Sequence, residues 1–376
     1  MNETTIRTMT SVLLSAVILV LSIGFLVLEK QEFSENENRY LEPFPALKWE
    51  TVKSGEYMKG LNAYLCDHFP LRDFFVSLKA NAETAIGKKE INQVYLCSDG
   101  YLIEEYKRPK NTEQISRIMQ SFSQKEELQQ VDLHLMLIPT AVYAYQDKLP
   151  KFAPARNQMD TANQIYQMSN IPAIDCSQDL LAHKEESPLY YRTDHHWTTF
   201  GAYIGYLAFC REKGLTPVSL EALEAETAAD GFCGTIYSKV KDYSQKGDPI
   251  ILYRNPADKL TVFYEDTKET SDSLYNLEYT KKKDKYSLFL NNLHPLVEIT
   301  NETAESEREL VLIKDSYANS MVPFLVRHFK KIYVLDTRYY KLGPSGFIKS
   351  HESVTDVLIL YNMNTLDDDL GIRAIY

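Results

Sequence analysis

The sequence predicts an α/β protein in which helices cover both faces of a parallel sheet, with a membrane helix before the domain and a β-containing insertion inside it. Three observations lead to this fold class. Apolar strand patterns alternate with amphipathic helix patterns through residues 111–376, as they do in parallel sheets. A run without charged side chains occupies residues 11–28. About seventy residues after Gly231 carry turn and strand patterns without helix signals.

Composition and charge narrow the classes of function. The chain has 376 residues, 44% of them hydrophobic and 25% charged, which is typical of a globular protein with a substantial core. The formal net charge of -11 argues against a nucleic-acid partner, because the chain does not supply in one place the Lys and Arg that bind phosphates. The run Lys281-Lys282-Lys283 is short, is followed by Asp284 and is interpreted as a solvated loop. The five cysteines lack CxxC spacing, which removes zinc-ribbon and thioredoxin-type sites.

The charge-free run predicts a membrane-spanning helix, because its length suffices to cross a hydrocarbon core of about 30 Å. Arg7 precedes the run and Glu29 and Glu32 follow it, which favours a cytoplasmic N-terminus and an extracytoplasmic bulk. No small-x-small cleavage site closes the run, so an uncleaved signal anchor is favoured over a signal peptide. Residues 1–30 are therefore interpreted as a single-pass anchor in the cell membrane.

Residues 31–110 are predicted to form an extended tether, helices and a hairpin that pack on the main domain. The tether, at about 33–49, is polar and contains several prolines. Helical patterns follow at about 53–65 and 70–86. Two short apolar segments flank Cys97-Ser98-Asp99 and predict a hairpin with Asp-Gly turn chemistry.

Residues 111–376 carry the predicted α/β domain, interrupted by the insertion at about 231–305. The insertion is strand-like near 250–253, 260–264 and 286–288. The alternating elements in chain order are helix 113–129, strand 131–138, helix 159–168, strand 171–174, helices 178–183 and 199–213, strand 309–313, helix 317–329, strand 331–335, helix 346–351 and strand 354–360. Ligands of such sheets bind at the carboxyl ends of the strands.

A dense polar motif, Thr193-Asp194-His195-His196-Trp197, stands before the helix predicted at 199–213. An Asp and a His held together can prepare a nucleophile elsewhere in the chain. The same groups can also bind a divalent metal ion, although no HxxxH or paired-carboxylate motif accompanies them. A third interpretation is a helix start, in which Thr198 or Thr199 caps the helix and the rings pack below it.

Ser316 is the candidate nucleophile. It follows the strand 309–313 and precedes a predicted helix, so its hydroxyl lies at the carboxyl end of a buried strand, near N–H groups that stabilise an oxyanion. The alternative is that Ser316 simply caps the helix. Asn362 and Asn364 follow the last predicted strand, where they either donate to an oxyanion or form turns.

The sequence resembles the DHHW family, which is named after the motif at residues 194–197. The other segments that carry the resemblance are Glu37-Asn38-Arg39, Asp67-His68-Phe69-Pro70 with Arg72, residues 92–104, Phe232-x-Gly234-Thr235-x-Tyr237-Ser238-Lys239 and Asp336-x-Arg338-Tyr339-Tyr340. The family is similar to the SGNH-hydrolase-like proteins of alginate O-acetylation. The resemblance covers nearly the whole chain after the anchor, and it implies a circularly permuted SGNH-hydrolase-like sheet in which the serine comes last.

Carried over by position, the resemblance implies Ser316 as nucleophile, His196 as general base and Asp194 as its orienting carboxylate. It implies Asn364 as the side-chain oxyanion donor, with Asn362 in the place of a glycine. The further candidates for oxyanion or substrate binding are His195, Trp197, Arg338 and Tyr339. The sequence departs from the alginate proteins at Lys314-Asp315, which directly precede the serine. No cofactor and no metal is expected.

The expected function is acyl transfer, in particular acetyl transfer, or ester hydrolysis on a cell-envelope polysaccharide. Related systems receive acyl groups from a multispanning membrane acyltransferase, so the resemblance implies such a partner. Two alternatives stay open. One is a metal-dependent hydrolase that uses Asp194, His195 and His196, and the other is a non-catalytic SGNH-like envelope protein that binds glycan or assembles with partners.

Overall fold

A seven-stranded mixed sheet runs through the larger of the two units into which the chain divides. The structure, a computed structural model, describes residues 2–154, 156–366 and 370–375. The smaller unit consists of Met1–Lys88 and Ser238–Ser244, and the larger unit of Lys89–Tyr237 and Gln245–Tyr376. A short excursion of the chain within the predicted insertion therefore belongs to the smaller unit.

The smaller unit begins with a long apolar helix, which Asn2 caps by accepting a hydrogen bond from the Thr5 backbone N–H at 2.9 Å. None of its side chains is buried, and among the described residues it is the one helix long and apolar enough to cross a membrane, a test that a signal sequence also passes. The elements of this unit are α1 (Glu3–Val27), β1 (Phe33–Ser34), β2 (Arg39–Tyr40), α2 (Trp49–Ser54), α3 (Glu56–Asp67) and α4 (Arg72–Ala85).

A network of charges joins separate segments of the smaller unit. The buried Glu37 carboxylate accepts hydrogen bonds from Arg39 Nε at 2.7 Å and Arg72 Nη2 at 2.8 Å, and it pairs with Lys241 Nζ at 2.6 Å. Asp67 accepts two hydrogen bonds from the Arg39 guanidinium, at 2.6 and 2.9 Å. The network ties the excursion to the β1–β2 hairpin, α3 and α4 within the smaller unit.

The larger unit alternates strands and helices along most of its length. Its strands are β3 (Glu90–Ile91), β4 (Val94–Leu96), β5 (Leu102–Glu104), β6 (Asp132–Ile138), β7 (Glu224–Phe232), β8 (Asp248–Arg254), β9 (Leu260–Tyr264), β10 (Glu269–Ser271), β11 (Leu296–Asn301), β12 (Glu309–Lys314), β13 (Lys331–Leu335) and β14 (Asp356–Asn362). Its helices are α5 (Thr112–Ser123), α6 (Ala141–Ala144), α7 (Gln158–Ser169), α8 (Ser177–His183), α9 (Thr199–Lys213), α10 (Thr235–Val240, which enters the excursion), α11 (Val322–Leu325), α12 (Pro344–Ser350) and α13 (Leu370–Arg373).

The order of the large sheet is β10-β9-β11-β13-β12-β14-β6. The strands β13, β12, β14 and β6 are parallel, which confirms the predicted α/β class for this half of the sheet. The strands β11, β9 and β10 are antiparallel and come from the predicted insertion, so the sheet as a whole is mixed. The apolar residues 310–313 of β12 are all fully buried, as expected of a strand covered on both faces.

The carboxyl ends of the parallel strands meet at one edge of the sheet. Lys314 of β12 pairs with Leu360 of β14, and Asn362 of β14 pairs with Ile138 of β6. Ser316 follows β12 directly, so it lies at this edge. Because ligands of open α/β sheets bind at the carboxyl ends of strands, a ligand site is expected at this edge.

Several local predictions are wrong. The segment 286–288 is not a strand but part of a 3-10 helix, Lys285–Leu288, because a segment as short as Tyr286-Ser287-Leu288 does not distinguish a strand from one helical turn. The helix predicted at 317–329 is split into a 3-10 helix, Ser316–Ser320, and α11, since Pro323 in the first turn of α11 has no N–H to continue the first helix. The strand predicted at 171–174 is reduced to one bridge between Ala173 and Leu135.

The strands β7 and β11 were not predicted. β7 is largely exposed and has the sequence Glu-Ala-Glu-Thr-Ala-Ala-Asp-Gly-Phe, which carries no apolar alternation. It forms by pairing with β8 through two register shifts. The hairpin predicted around Cys97-Ser98-Asp99 is present as β4 and β5, and β3 adds a third strand to it.

Candidate active site

Asp194, His196 and Ser316 form a hydrogen-bonded chain. His196 Nδ1 lies 2.6 Å from Asp194 Oδ1, and His196 Nε2 lies 2.8 Å from Ser316 Oγ. Because a carboxylate only accepts, Nδ1 carries the proton and Nε2 of the neutral ring accepts from the serine hydroxyl. An imidazole in this arrangement is able to take a proton from a serine.

Asp315 holds the turn that presents Ser316. Its Oδ1 accepts from the Tyr317 N–H at 2.9 Å and caps the 3-10 helix. Its Oδ2 accepts from the backbone N–H and the side-chain amide of Asn362, both at 2.7 Å, and from the Thr365 hydroxyl at 3.0 Å. Burial raises the pKa of Asp315, and these donors oppose the rise. The carboxylate thereby joins the end of β12 to the end of β14.

The carboxylate of Asp194 is fixed by donors on both oxygens. Oδ1 accepts from the His196 backbone N–H at 3.0 Å as well as from its ring, while Oδ2 accepts from the Thr235 N–H at 2.8 Å and the Thr235 hydroxyl at 3.1 Å. Residue 234 must be glycine for this approach, because a Cβ there would lie 2.0 Å from Asp194 Oδ2. The Gly234-Thr235 pair at the start of α10 thus holds the carboxylate.

Two rings lie against the imidazole of His196. Tyr286 stacks on it with a centroid separation of 3.7 Å and an interplanar angle of 10°, and His195 lies 3.8 Å away, tilted by 37°. The Tyr286 hydroxyl is 3.1 Å from the Ser316 carbonyl oxygen and 3.0 Å from Ser320 Oγ. Tyr286 therefore contacts both the imidazole and the turn that carries the serine.

Burial determines the charge states in the chain. It lowers the pKa of His196 to about 4, and the neighbouring His195 acts in the same direction. The pKa of Asp194 lies well below its ordinary value: burial would raise it, but His195, His196 and the Thr235 N–H together outweigh burial. At neutral pH His196 is uncharged and Asp194 is ionised, which are the states that a general base and its orienting carboxylate require.

Lys314, which departs from the alginate proteins, is buried in an ion pair. Its Nζ lies 3.3 Å from Asp336 Oδ2, and Asp336 also accepts from Arg338 Nε at 2.8 Å and Nη2 at 2.5 Å. Burial lowers the pKa of Lys314. The pKa of Asp336 is below its ordinary value, because the burial that would raise it is outweighed by Lys314 and Arg338. The predicted substrate-binding residue Arg338 is thus engaged with Asp336, and its neighbour Tyr339 is exposed.

Asn362 and Asn364 lie in different surroundings. Asn362 is buried, its amide donates to Asp315, and its Oδ1 accepts from the Asn364 N–H at 2.9 Å. The Oδ1 of Asn364 accepts from Gln158 Nε2 at 3.1 Å and from the Thr140 hydroxyl at 3.4 Å. Their part in oxyanion binding stays a prediction, and the engaged amide of Asn362 favours Asn364 for that part.

Trp197 is enclosed beneath the site. It is fully buried, and its Nε1 donates to the Tyr317 carbonyl at 2.9 Å. Helix α9 leaves space for the indole with glycine, since a Cβ on Gly205 would lie 2.8 Å from the ring. In this position Trp197 supports the turn that carries Ser316.

His195 reaches solvent beside the buried chain, with a side chain that is 27% exposed. Its Nδ1 lies 2.6 Å from Thr235 Oγ1, and because that hydroxyl donates to Asp194, His195 Nδ1 is the donor of the pair. Ligand atoms of Asp194, His195 and His196 lie within 4.8 Å of one another and form a group able to hold a metal ion. A metal there would compete with the hydrogen bonds that these atoms already make.

Sequence reasoning missed the roles of residues that the fold brings to the site, three of them from the insertion and one directly before Ser316. Tyr286 is one of 26 tyrosines, and no spacing relates it to the motif at residues 193–197. Gly234 and Thr235 lie within a segment that resembles the DHHW family. The resemblance marks these two residues but does not predict that they hold Asp194. Asp315 was noted only as a departure from the alginate proteins.

A protein-family profile and several solved structures match this chain. The profile of a family described as DHHW protein matches residues 116–335, more than half of the chain. The crystal structure of a DHHW family protein from Eubacterium siraeum DSM 15702 superposes with a TM-score of 0.65 at 27% sequence identity, over 76% of this chain and 96% of that chain.

Two further solved structures are less similar in sequence. Bacillus cereus PatB1, solved with a sulfonyl adduct, has a TM-score of 0.61 at 20% identity, over 75% of this chain and 98% of that chain. The O-acetyltransferase domain of Pseudomonas putida AlgJ has a TM-score of 0.46 at 15% identity, over 73% of this chain and 92% of that chain. The likeness to PatB1 is one of fold. No curated protein matches the chain.

Proposed function

The chain belongs to the DHHW family, and from that membership we propose that it is a serine-dependent acyltransferase or esterase that acts on acetyl esters of a cell-envelope polysaccharide. The observation that carries the proposal is the hydrogen-bonded chain from Asp194 through His196 to Ser316. The uncharged His196 and the ionised Asp194 support the same roles, since a charged imidazole has no lone pair for the serine proton.

In the proposed reaction, Ser316 Oγ attacks the carbonyl carbon of an acyl donor while its proton passes to His196 Nε2. Asp194 stabilises the imidazolium that forms. The tetrahedral intermediate then expels the donor's oxygen, which takes the proton from His196, and leaves an acetyl ester on Ser316. A sugar hydroxyl or water attacks that ester with His196 again as base, which returns the serine. Asn364 is the proposed side-chain donor to the oxyanion.

The proposed location is the outer side of a membrane. Arg7 before the apolar run of α1, and Glu29 and Glu32 after it, support an anchor with a cytoplasmic N-terminus. An acyl donor made inside the cell has to be moved across the bilayer to reach Ser316. We therefore include a multispanning membrane acyltransferase as the proposed donor partner.

The test is turnover of a chromogenic acetyl ester by the detergent-solubilised full chain. Ser316→Ala is expected to lower kcat/KM by at least about 10³-fold, because the acyl ester has no other attachment point. The control is Ser353→Ala, which removes an exposed hydroxyl that donates to Glu309 and should leave turnover unchanged. Equal turnover by the wild type and Ser316→Ala would refute the proposal.

Active-serine probes separate this proposal from a non-catalytic glycan-binding protein. A fluorophosphonate requires an activated hydroxyl, and a sulfonyl fluoride is a suitable second probe because PatB1 carries a sulfonyl adduct. Both are expected to label Ser316 in the wild type and to lose labelling in His196→Gln. A folded protein that binds glycan without labelling would favour the non-catalytic alternative. Stoichiometric metal in elemental analysis would favour the metal-dependent one.

A further inference from the structure

Helix α4 presents its apolar side outward. Phe74, Phe75 and Leu78 are 59%, 41% and 51% exposed. Leu71 before the helix and Ile86 after it, both exposed, continue the stripe, because positions 71, 74, 75, 78 and 86 fall on one side of a helix with about 3.6 residues per turn. These five residues form what we call the outward face of α4. A helix in a water-soluble unit has its apolar side inward, so an exposed apolar stripe marks a contact surface.

The opposite side of α4 faces the interior of the smaller unit. Ala80, which lies about half a turn away from the outward face, is the buried residue of this helix. Arg72, at the helix start, contributes to the charge network through Glu37. The contacts of Ala80 and Arg72 with the rest of the smaller unit therefore hold α4 with its apolar stripe outward.

The chain just before α4 lies against the apolar helix α1. A Cβ built on Gly24 would lie 3.4 Å from Pro70 Cγ. An apolar groove with a volume of about 540 Å³ lies between α1 and the α3–α4 region, and its lining residues are Ile18, Leu21, Ser22, Phe25, Leu26, Leu65 and Phe69. The turn between α3 and α4 is therefore adjacent to the carboxyl-terminal part of α1.

This contact sets the depth of the turn relative to a bilayer. Gly24 precedes the end of the apolar run at Leu28 by four residues, which corresponds to about 6 Å of helix rise. Polar-tipped aromatic and cationic groups gather near that level. The Tyr64 ring lies 6.1 Å from Phe25 and 5.2 Å from Phe44, and Lys30 Nζ lies 3.8 Å from the centre of the Phe25 ring. Such groups are typical of the interface between headgroups and acyl chains.

We propose that the outward face of α4 is a second membrane-contacting surface, which lies in the headgroup and acyl-chain boundary of the bilayer that α1 crosses. The partner is lipid. The turn at Pro70 already lies beside the apolar part of α1, so a bilayer around α1 reaches the start of the outward face. The exposed Lys79 and Asn81 stand at the two edges of that face, where polar side chains reach water or headgroups.

The inference goes beyond the proposed acyl transfer. It rests on the proposed anchoring by α1 and does not depend on the activity of Ser316. Its consequence is that the smaller unit is held at two places on the bilayer, which restricts its rotation about the anchor. A protein partner or a second copy of the chain on the same face would compete with lipid for it.

The test measures the depth of single tryptophans in the full chain, reconstituted into vesicles of phosphatidylcholine and phosphatidylglycerol. The native Trp49 is replaced by Phe to reduce the background to Trp197. The reporters are Phe74→Trp and Leu78→Trp on the outward face, Thr84→Trp away from it, and Val20→Trp within α1. Vesicles with brominated acyl chains quench tryptophans that lie among those chains.

The expected result is loss of most of the added emission for Val20→Trp, Phe74→Trp and Leu78→Trp, with little loss for Thr84→Trp. The inference would be overturned if the tryptophan at position 20 is quenched but those at positions 74 and 78 are quenched no more than the one at position 84. In that case the outward face of α4 would bind a protein partner. If the tryptophan at position 20 is not quenched, α1 does not lie in the bilayer, and the inference is refuted together with the proposed anchor. Ester turnover, measured on the same vesicles, reports the proposed function separately. An unchanged circular dichroism spectrum shows that each variant is folded.

Discussion

Single side chains decide whether His196, the proposed base, is aligned and uncharged. The Asp194 carboxylate has donors on both oxygens, and the His196 ring is covered by Tyr286 and His195. The alignment of His196 therefore depends on the close approach of the Gly234 backbone to the Asp194 carboxylate. The charge state of His196 depends on the exclusion of water by the rings of Tyr286 and His195. The two dependencies are separable by substitution.

Gly234→Ala is expected to reduce activity while the fold persists. Its Cβ would lie 2.0 Å from Asp194 Oδ2, so either the carboxylate or the Thr235 N–H must move. A displacement of about 1 Å in a catalytic group costs on the order of 10²-fold in rate. The measurement is kcat for an acetyl ester.

Gly346→Ala is the matched control for that prediction. It lies in α12, where nothing would approach an added Cβ within 4 Å, and it should retain full activity. Wild-type activity of Gly234→Ala would show that Asp194 does not need its present position.

Tyr286 is expected to set the acid limb of the pH profile. Replacing it with Leu uncovers the imidazole to water, and since burial is the main cause of the low His196 pKa, that pKa should rise from about 4 towards its ordinary value. The acid limb of kcat/KM, which reports protonation of the base, then moves to higher pH.

Tyr286→Phe keeps the stacked ring and removes the hydroxyl that contacts the Ser316 carbonyl. It should lower kcat without moving the acid limb. If the Leu and Phe variants share one pH profile, the ring does not control the charge of His196.

Whole elements position these side chains, and helix α9 shows how. It begins directly after the Asp194 motif, Thr198 caps it by accepting from the Gly201 N–H at 3.1 Å, and its glycines leave space for Trp197. Trp197 in turn donates to the Tyr317 carbonyl next to Ser316. The helix thus links the motif and the serine turn through one indole.

Gly205→Ala is expected to destabilise the protein by about 1–3 kcal/mol, the usual cost of overpacking a core. The added Cβ would lie 2.8 Å from the Trp197 ring, which has no space to retreat because it is fully buried. Urea unfolding of the detergent-solubilised chain gives the free energy. In the double variant with Trp197→Phe the smaller ring should recover part of that loss, and strictly additive effects would argue against the contact.

Local patterns predicted much of the fold. The strands β12, β13 and β14 and the helix α9 were found within one or two residues, because buried apolar runs and caps act over short stretches of chain. β11 and the 3-10 helix that carries Tyr286 were missed, because each depends on neighbours far away in sequence. The sequence does not explain the charged Lys314 at the end of a buried strand, because its partner Asp336 is adjacent only in the folded chain. Proximity of Asp194 to Ser316 followed from a resemblance and not from any spacing.

For the molecule as a whole, buried histidines make stability sensitive to mild acid. Burial is the main cause that lowers the pKa of His134, His196 and His328. Below their ordinary pKa of about 6.5 these groups bind protons in the unfolded chain before they do so in the folded one. The neutral histidines therefore contribute fully to the free energy of unfolding above pH 6.5, and this contribution decreases as the pH falls below 6.5. For His196 the decrease continues to its folded-state pKa of about 4. The depressed carboxylate Asp67, with a pKa of about 2, loses its contribution only in stronger acid.

The free energy of unfolding should accordingly fall between pH 7 and pH 5, with a contribution on the order of 2 kcal/mol from His196, because its pKa of about 4 lies below this range and each pKa unit of difference corresponds to about 1.4 kcal/mol. His328→Gln is expected to flatten this slope, because it removes one of the buried titrating groups. Tyr206→Phe is the control: its hydroxyl lies 2.6 Å from His328 Nε2, so its loss should destabilise the protein while the histidine continues to titrate. Urea unfolding at a series of pH values measures both slopes. A His328→Gln slope equal to that of the wild type would mean that this histidine is protonated alike in the folded and unfolded chain.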